Sequence, residues 1–100
     1  MSDTITLVRL RLQEGKTSAE WLKANEKINE WVTRQPGFRF RSLSETDDKE
    51  WLIMTYWANP GAAAAAETSF NAEMMGMCKP LIVNERIVVS RSKAHLMQRG

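Results

Sequence analysis

The chain has 100 residues, 43% of them hydrophobic and 26% charged, with a formal net charge of +2. This length suits one domain, since domains usually hold ~50–200 residues, and the composition excludes intrinsic disorder. The near balance of 14 basic and 12 acidic residues argues against a protein that mainly neutralises nucleic-acid phosphates. We expect a single domain over residues 1–100, with a loosely held tail over residues 91–100.

The single cysteine, Cys78, excludes an intramolecular disulfide and favours a reducing compartment. The first residues carry neither the basic nor the apolar segment of a secretory signal. No apolar run approaches the ~20 residues that a membrane helix needs. These features predict a cytoplasmic protein with no membrane contact.

The first half of the chain predicts a strand followed by a helix. Apolar and polar residues alternate over residues 5–12, as in a half-buried strand. Thr17 and Glu20 have the spacing of a capping box, so a helix should begin there. That helix should end near Gln35, because Pro36 disfavours helical geometry in the residue before it.

Two strands are predicted next, joined by a charged loop. Residues 38–44 alternate so that Phe38 and Phe40 share one face. Residues 51–57 form the most apolar strand, in which Trp51 and Trp57 share a face and Tyr56 lies on the opposite one. Alternation alone does not tell which face the helices cover.

A second helix and a last strand complete the chain. Asn59 can cap a helix with Pro60 in its first turn, and Pro80 should end it. A last strand is predicted over residues 81–90, interrupted near Asn84 and Glu85. The buried stripe of this helix should be Ala62, Ala66, Phe70, Met74 and Met77.

The resulting order predicts an α+β fold, a ferredoxin-like βαββαβ sandwich. Its four-stranded antiparallel sheet would carry both helices on one face. The central strands are apolar on both faces, and an uncovered patch with two tryptophans would exceed what monomers expose. We therefore predict a homodimer through the sheet faces; the alternative is a monomer with a partly apolar open face.

Several short motifs resemble one known superfamily. They are Gln35-Pro36-Gly37-Phe38 before the second strand, Trp57 just before Asn59-Pro60, the spacing Ala62, Ala66, Phe70, and Pro80-Leu81-Ile82. Together they resemble the dimeric α/β-barrel superfamily, and within it the antibiotic-biosynthesis-monooxygenase-like proteins. The resemblance implies pairing as a dimeric α/β barrel and a pocket that contains Trp57.

The resemblance also implies which activities to expect. Members include cofactor-independent oxygenases for phenolic or polyketide substrates and haem-degrading enzymes. The haem-degrading members use a histidine on the second helix and an asparagine on the first strand, and this sequence has neither. The oxygenases carry an amide near the pocket tryptophan, where this chain has Ile53 and Thr55. The resemblance thus implies chemistry without a cofactor.

Candidate pocket residues come from two sources. Trp57 follows from the resemblance, and Asn25 from its place near the centre of the apolar arc of the first helix. A buried amide either lines a wet pocket or is bonded to nearby backbone, and a single Trp is more often ordinary core. The predicted ligand pocket comprises Trp57, Asn25, Tyr56, Met74, Met77 and Phe70.

The sequence gives little support for a metal site or for acid–base catalysis. His95 is the only histidine and has no partner at a metal-ligand spacing, so no metal site is predicted. Four arginines at two-residue spacing could bind an anion or form salt bridges at strand edges; they are Arg9, Arg11, Arg39 and Arg41. No acidic residue or histidine falls on a predicted buried face, so no catalytic base is identified.

Three functions are compatible with the predicted fold. The first is a cofactor-independent oxygenase acting on a small aromatic or polyketide-like substrate between sheet and helices. The second is a non-catalytic dimeric module that binds a small ligand or serves a structural role. The third is RNA binding, because RNA-recognition domains share this topology. It has the least support, because residues 49–54 lack the glycines of the RNA-recognition pattern.

Overall fold

The computed structural model describes residues 3–98 and 100. The strands are β1 Thr4–Leu10, β2 Phe38–Glu45, β3 Trp51–Trp57 and β4 Val88–Lys93. The helices are α1 Ser18–Thr33, α2 Pro60–Glu73 and the short α3 Met75–Cys78. The strands form one antiparallel sheet in the order β2-β3-β1-β4, which confirms the ferredoxin-like βαββαβ sandwich.

Helix α1 begins with the predicted capping box. The Thr17 hydroxyl accepts a hydrogen bond from the Glu20 backbone N–H at 3.2 Å, and the Glu20 carboxylate accepts one from the Thr17 N–H at 3.1 Å. The helix ends at Thr33, two residues earlier than expected. Gly37 then takes a φ of +81°, and a Cβ there would lie 2.7 Å from the Cβ of Ala62. Glycine therefore lets the turn before β2 pack closely against α2.

The strand register shows which face the helices cover. In β3, Trp51, Thr55 and Trp57 are buried, and Trp57 pairs with Thr4 of β1 across the sheet. All four tryptophans are buried on the helix side, the other two being Trp21 and Trp31 of α1. The expected open patch with two tryptophans is therefore wrong.

A β-bulge separates the two phenylalanines of β2. Phe38 pairs with Trp57, whereas Phe40 pairs with Tyr56, one residue back on β3. The extra residue, Arg39, reverses the alternation, so that Phe38 faces the helices and Phe40 faces away. The prediction that both rings share a face is wrong for this reason.

Helix α2 is shorter than predicted. Asn59 caps it by accepting a hydrogen bond from the Ala62 N–H at 2.8 Å, as expected. The helix stops at Glu73, and Met74 departs from helical geometry with φ −116° before α3 begins. Met74, Met75 and Met77 are all half-buried around this offset and pack against the core.

The end of the chain is more ordered than predicted. Ile82 forms an isolated bridge with Leu12, and a 3₁₀ turn at Asn84–Arg86 gives the expected interruption. Strand β4 then runs to Lys93, and the buried Ala94 donates its N–H to the Asp3 carbonyl at 2.8 Å. A tail starting at residue 91 is therefore wrong, because residues 91–93 pair with β1.

The face of the sheet away from the helices is called the open face below. It is largely apolar, and on its β2–β3 side the rings of Phe40 and Tyr56 are in edge-to-face contact at 5.9 Å. Its other apolar members are Ile5, Leu7, Leu52, Met54 and Val88. Among the described helices, none is long and apolar enough to cross a membrane.

Candidate functional site

A cavity of about 290 Å³ lies between the sheet and the helices. Its volume is at the lower end of the ~300–1,000 Å³ that is usual for small-molecule sites. Strand β1 contributes Thr6, Val8 and Leu10, and β3 contributes Ile53, Thr55 and Trp57. These residues alternate along their strands, so the sheet presents one continuous apolar wall with two hydroxyl groups.

The helices form the opposite wall. Helix α1 contributes two indoles, Trp21 and Trp31, and α2 contributes Ala63, Ala66 and Phe70. The Trp31 and Phe70 rings meet edge to face at 5.6 Å. Because alanine side chains are small, α2 packs against the sheet core while space remains beside its larger aromatic neighbours.

Arg41 is the basic residue in this lining. Its guanidinium donates hydrogen bonds to the side-chain oxygens of Asn29 at 2.6 Å and of Asn25 at 2.7 Å. Burial lowers the pKa of Arg41 to about 10, because the charged form loses solvation. The group therefore remains a cation at neutral pH.

Two buried donors of the cavity wall lack acceptors. The indole N–H groups of Trp21 and Trp31 have no hydrogen-bond partner within the described part of the chain. Both side chains are buried, Trp21 almost completely. An unpaired buried donor costs ~1–3 kcal/mol, and because neither indole nitrogen is accessible from the cavity, a ligand would reach them only if a side chain moved.

Cys78 also lines the cavity as a free, buried thiol. Burial raises the pKa of the Cys78 thiol, and the positive charge of Arg41 offsets this only in part. The thiol is therefore protonated at neutral pH and is a poor nucleophile.

Glu67 and Asn71 of α2 complete the lining toward β4, which contributes Val89. The Glu67 carboxylate accepts a hydrogen bond from Arg91 of β4 at 2.7 Å, and both side chains are about half exposed. The sequence pattern did not indicate Glu67, because the predicted buried stripe of α2 began at Ala62 whereas the structure buries Ala63. Its signal was its i+4 spacing from the buried Ala63.

The predicted pocket residues do not all meet in this cavity. Trp57 and Phe70 line it. Tyr56 lies on the open face, since it follows Thr55 and precedes Trp57 on β3, and its assignment to the pocket is corrected. Met74, Met75 and Met77 all pack against the core, but of the three only Met75, which follows the helix break at Met74, lines the cavity.

Asn25 is buried but lines a different space. It borders a groove of about 310 Å³ between α1 and β2, together with Leu22, Glu26, Asn29, Arg41 and Leu43. Its amide donates to the Trp21 carbonyl at 2.8 Å and accepts from Arg41. The direct pocket role is therefore corrected: Asn25 touches the cavity through Arg41, which borders both spaces.

No metal centre is evident in residues 3–98, which contain no group of three histidine, cysteine, aspartate or glutamate side chains placed to hold an ion. His95 is exposed near the end of the chain. The geometry instead provides an apolar cavity with a few directed donors.

Several solved structures have a fold similar to that of this chain. The chain is similar to an asparagine-to-alanine variant of SnoaB, a cofactor-independent oxygenase from Streptomyces nogalater, with TM-score 0.80, 16% identity and 97% of each chain covered. It is also similar to a Nitrosomonas europaea protein whose assignment as an antibiotic biosynthesis monooxygenase is provisional, with TM-score 0.76, 18% identity and coverage of 92% and 89%.

A third similar structure is a dimeric ferredoxin-like protein from an uncultured marine organism, with TM-score 0.72, 8% identity and coverage of 100% and 94%. No protein-family model and no curated protein matches the chain in sequence. The resemblance to antibiotic-biosynthesis-monooxygenase-like proteins is thereby confirmed as a likeness of fold.

Proposed function

We propose that this protein is a cofactor-independent oxygenase that acts on a small aromatic or polyketide-like substrate. The observation that carries the proposal is the cavity between sheet and helices, with aromatic walls and one cation, Arg41. The similarity of fold to SnoaB, described as a cofactor-independent oxygenase, supports it.

The chemistry asks little of the protein beyond binding. A substrate with an acidic C–H or O–H group forms an anion that itself gives electrons to dioxygen. One oxygen atom ends on the substrate carbon as a carbonyl, and the other leaves as water with the two hydrogens of that carbon. The apolar walls, with Trp57 and Phe70 among them, would exclude water from the anion and orient its rings.

The test is oxygen consumption with anthrone, a tricyclic compound with such an acidic carbon. The protein, treated with chelator, should speed up oxygen uptake and conversion to the anthraquinone, followed by absorbance. Trp57→Phe should lower kcat/KM because the indole wall is lost. Trp51→Phe is the matched control, since Trp51 is buried on the same face of β3 but does not line the cavity.

A non-catalytic binding module is the second candidate. It is favoured because the described lining has no histidine, and its one carboxylate, Glu67, is bonded to Arg91. Saturable anthrone binding without any oxygen uptake above the uncatalysed rate would select this function. Accelerated uptake that Trp57→Phe leaves unchanged would argue against catalysis in the cavity.

We further propose that two copies pair through the open face, as expected for a dimeric α/β barrel. The support is the apolar centre of that face and the similar protein described as dimeric. The 100 residues would then act as one domain. A free buried thiol at Cys78 agrees with the reducing conditions of the cytoplasm, where we place the protein.

A further inference from the structure

The four strand arginines differ in their partners. Three are matched with carboxylates: Arg9 with Glu50 at 2.9 Å, Arg11 with Asp48 at 3.0 Å and Arg39 with Asp3 at 3.7 Å. Arg41 forms no such pair within the described residues and bonds only to two neutral amide oxygens. It is thus a partly buried cation whose counter-charge the described chain does not supply.

Nearby carboxylates do not fill this role. Glu67 shares the cavity with Arg41 but is bonded to Arg91, and Glu26 shares the groove but is exposed. Neither carboxylate lies within 4.0 Å of the Arg41 guanidinium. Cys78 faces the same cavity, but burial keeps its pKa raised and its thiol uncharged.

The asparagines direct Arg41 without neutralising it. Each accepts one hydrogen bond, from a different terminal nitrogen of the guanidinium. A guanidinium has five N–H groups, so three of them have no partner in the described residues. An anion would satisfy these donors by charge-assisted hydrogen bonds, which are stronger than bonds to neutral acceptors.

Other polar groups of the cavity carry no charge that could complement an anion. The indole N–H groups of Trp21 and Trp31 are buried without acceptors and are not accessible from the cavity. The hydroxyl groups of Thr6 and Thr55 are neutral, so Arg41 is the one cation of the described lining. The ligand that matches this cavity is an otherwise apolar molecule that carries a negatively charged oxygen.

We infer that Arg41 is the anion-binding residue of the cavity and that the natural ligand is an aromatic compound carrying a negatively charged oxygen, bound as the anion. This inference rests on the proposed function for the location of the substrate and names its chemical class. Asn25 and Asn29 are positioning residues, because they hold the guanidinium without contacting the ligand. A cation at this point would stabilise the same anion that reacts with dioxygen.

The test uses 4-nitrophenol, which ionises near neutral pH and changes colour when it does. Bound beside Arg41, its pKa should fall, so that its anion band appears at lower pH with saturating protein than without. Calorimetry should show that it binds more tightly than 4-nitroanisole, a neutral compound of nearly the same shape. This first comparison requires no variant.

The variants assign the effect to one residue. Arg41→Met should return the pKa of the bound probe to its free value or above and weaken binding ~10-fold or more. Arg41→Lys should retain part of the shift, because it keeps the charge but not the fork. Arg39→Met is the matched control, since Arg39 lies on the same strand and pairs with Asp3, and it should behave as the wild type.

Three outcomes would overturn the inference: an unshifted or raised pKa of the bound probe, an unchanged shift in Arg41→Met, or no saturable binding of the probe. If Arg41→Met fails to fold by circular dichroism, the wild-type shift and Arg41→Lys decide. A shift that depends on Arg41 in a protein that consumes no oxygen with anthrone supports the inference while refuting the oxygenase function. The two failures are therefore distinguishable.

Discussion

The Arg41 guanidinium on β2 donates a hydrogen bond to the Asn25 side-chain oxygen on α1 at 2.7 Å. The same asparagine anchors its amide nitrogen on the Trp21 carbonyl at 2.8 Å. Asn25 is only 3% exposed, so its bond to the Trp21 carbonyl is shielded from water and its bond to Arg41 is partly shielded. This residue therefore ties a partly buried cation to the backbone of the helix that covers the sheet.

Replacing Asn25 with leucine should destabilise the protein. The change removes the acceptor of Arg41, and a buried partner left unpaired costs ~1–3 kcal/mol. Chemical unfolding followed by tryptophan fluorescence should show a lower midpoint. Asn29→Leu is the control: Asn29 also accepts from Arg41 but is exposed, so water can replace it and the loss should be smaller. Equal losses would contradict the argument.

Replacing Trp57 with alanine should enlarge the cavity without affecting assembly. Its ring is buried against Phe38 at 5.9 Å, so the loss of packing should cost ~3–5 kcal/mol. Aromatic probes should bind more weakly, while sedimentation should give the wild-type mass. A dissociated dimer after this substitution would mean that the cavity wall and the pairing surface are coupled.

The sequence alone predicted the order of elements because its local signals agree with one another. The capping box at Thr17, the Asn59 cap and the alternation over residues 51–57 each arise from neighbouring residues. Such signals need no knowledge of the rest of the fold. The strand and helix boundaries therefore came within a few residues in most elements.

The errors arose where a single extra or missing residue shifts a pattern. The bulge at Arg39 placed Phe40 on the open face, and the break at Met74 replaced Met77 with Met75 in the cavity lining. Neither Arg39 nor Met74 is itself a glycine or proline, and Gly37 and Gly76, two residues away, do not mark the exact position of the irregularity. Both depend on packing between elements, which periodicity does not encode.

The cavity itself was only partly predictable. Trp57 came from the family resemblance, whereas the role of Arg41 required knowing that its three counterparts are paired with carboxylates and it is not. All four arginines look alike in the sequence, since they occur at the same two-residue spacing. Only the three-dimensional partners separate the strand-edge charges from the one in the cavity.

The Cys78 thiol should react slowly with disulfide reagents in the native protein. Burial raises its pKa, so less thiolate is present at pH 8 than in the unfolded chain, and access is restricted as well. We expect native Cys78 to react at least ~10-fold more slowly than the denatured protein. The reaction rate of the native protein should begin to rise at a higher pH than that of the unfolded chain, because the buried thiol ionises at a higher pH.

Arg41 should modulate this reactivity. Its positive charge favours the thiolate, so Arg41→Met should slow the reaction further at a fixed pH. Arg39→Met, on the same strand, should leave the rate unchanged. A faster reaction in Arg41→Met would mean that loss of the side chain opens the cavity, with access outweighing charge.

The Glu67–Arg91 pair should influence ligand entry more than stability. Both side chains are substantially exposed, and such surface pairs contribute ~0–1 kcal/mol. Glu67→Gln removes a negative charge from the cavity lining and leaves Arg91 unpaired. The association rate of 4-nitrophenolate should therefore rise at low salt, and the gain should disappear at high ionic strength. Arg91→Gln should have the opposite effect on the rate.

A single charge on the open face should separate the two copies. Tyr56 lies on that face, in contact with Phe40, and a second copy would bury both rings. Tyr56→Glu would bury one unpaired carboxylate from each copy in the contact without filling any space on the helix side. We expect the mass in sedimentation to fall from the dimer to the monomer, with the circular dichroism of the fold retained.

Lys16→Glu, which changes charge on the exposed turn before α1, should leave the mass unchanged. A wild-type protein that sediments as a monomer at micromolar concentration would remove the open face as a pairing surface and leave the cavity to a single chain.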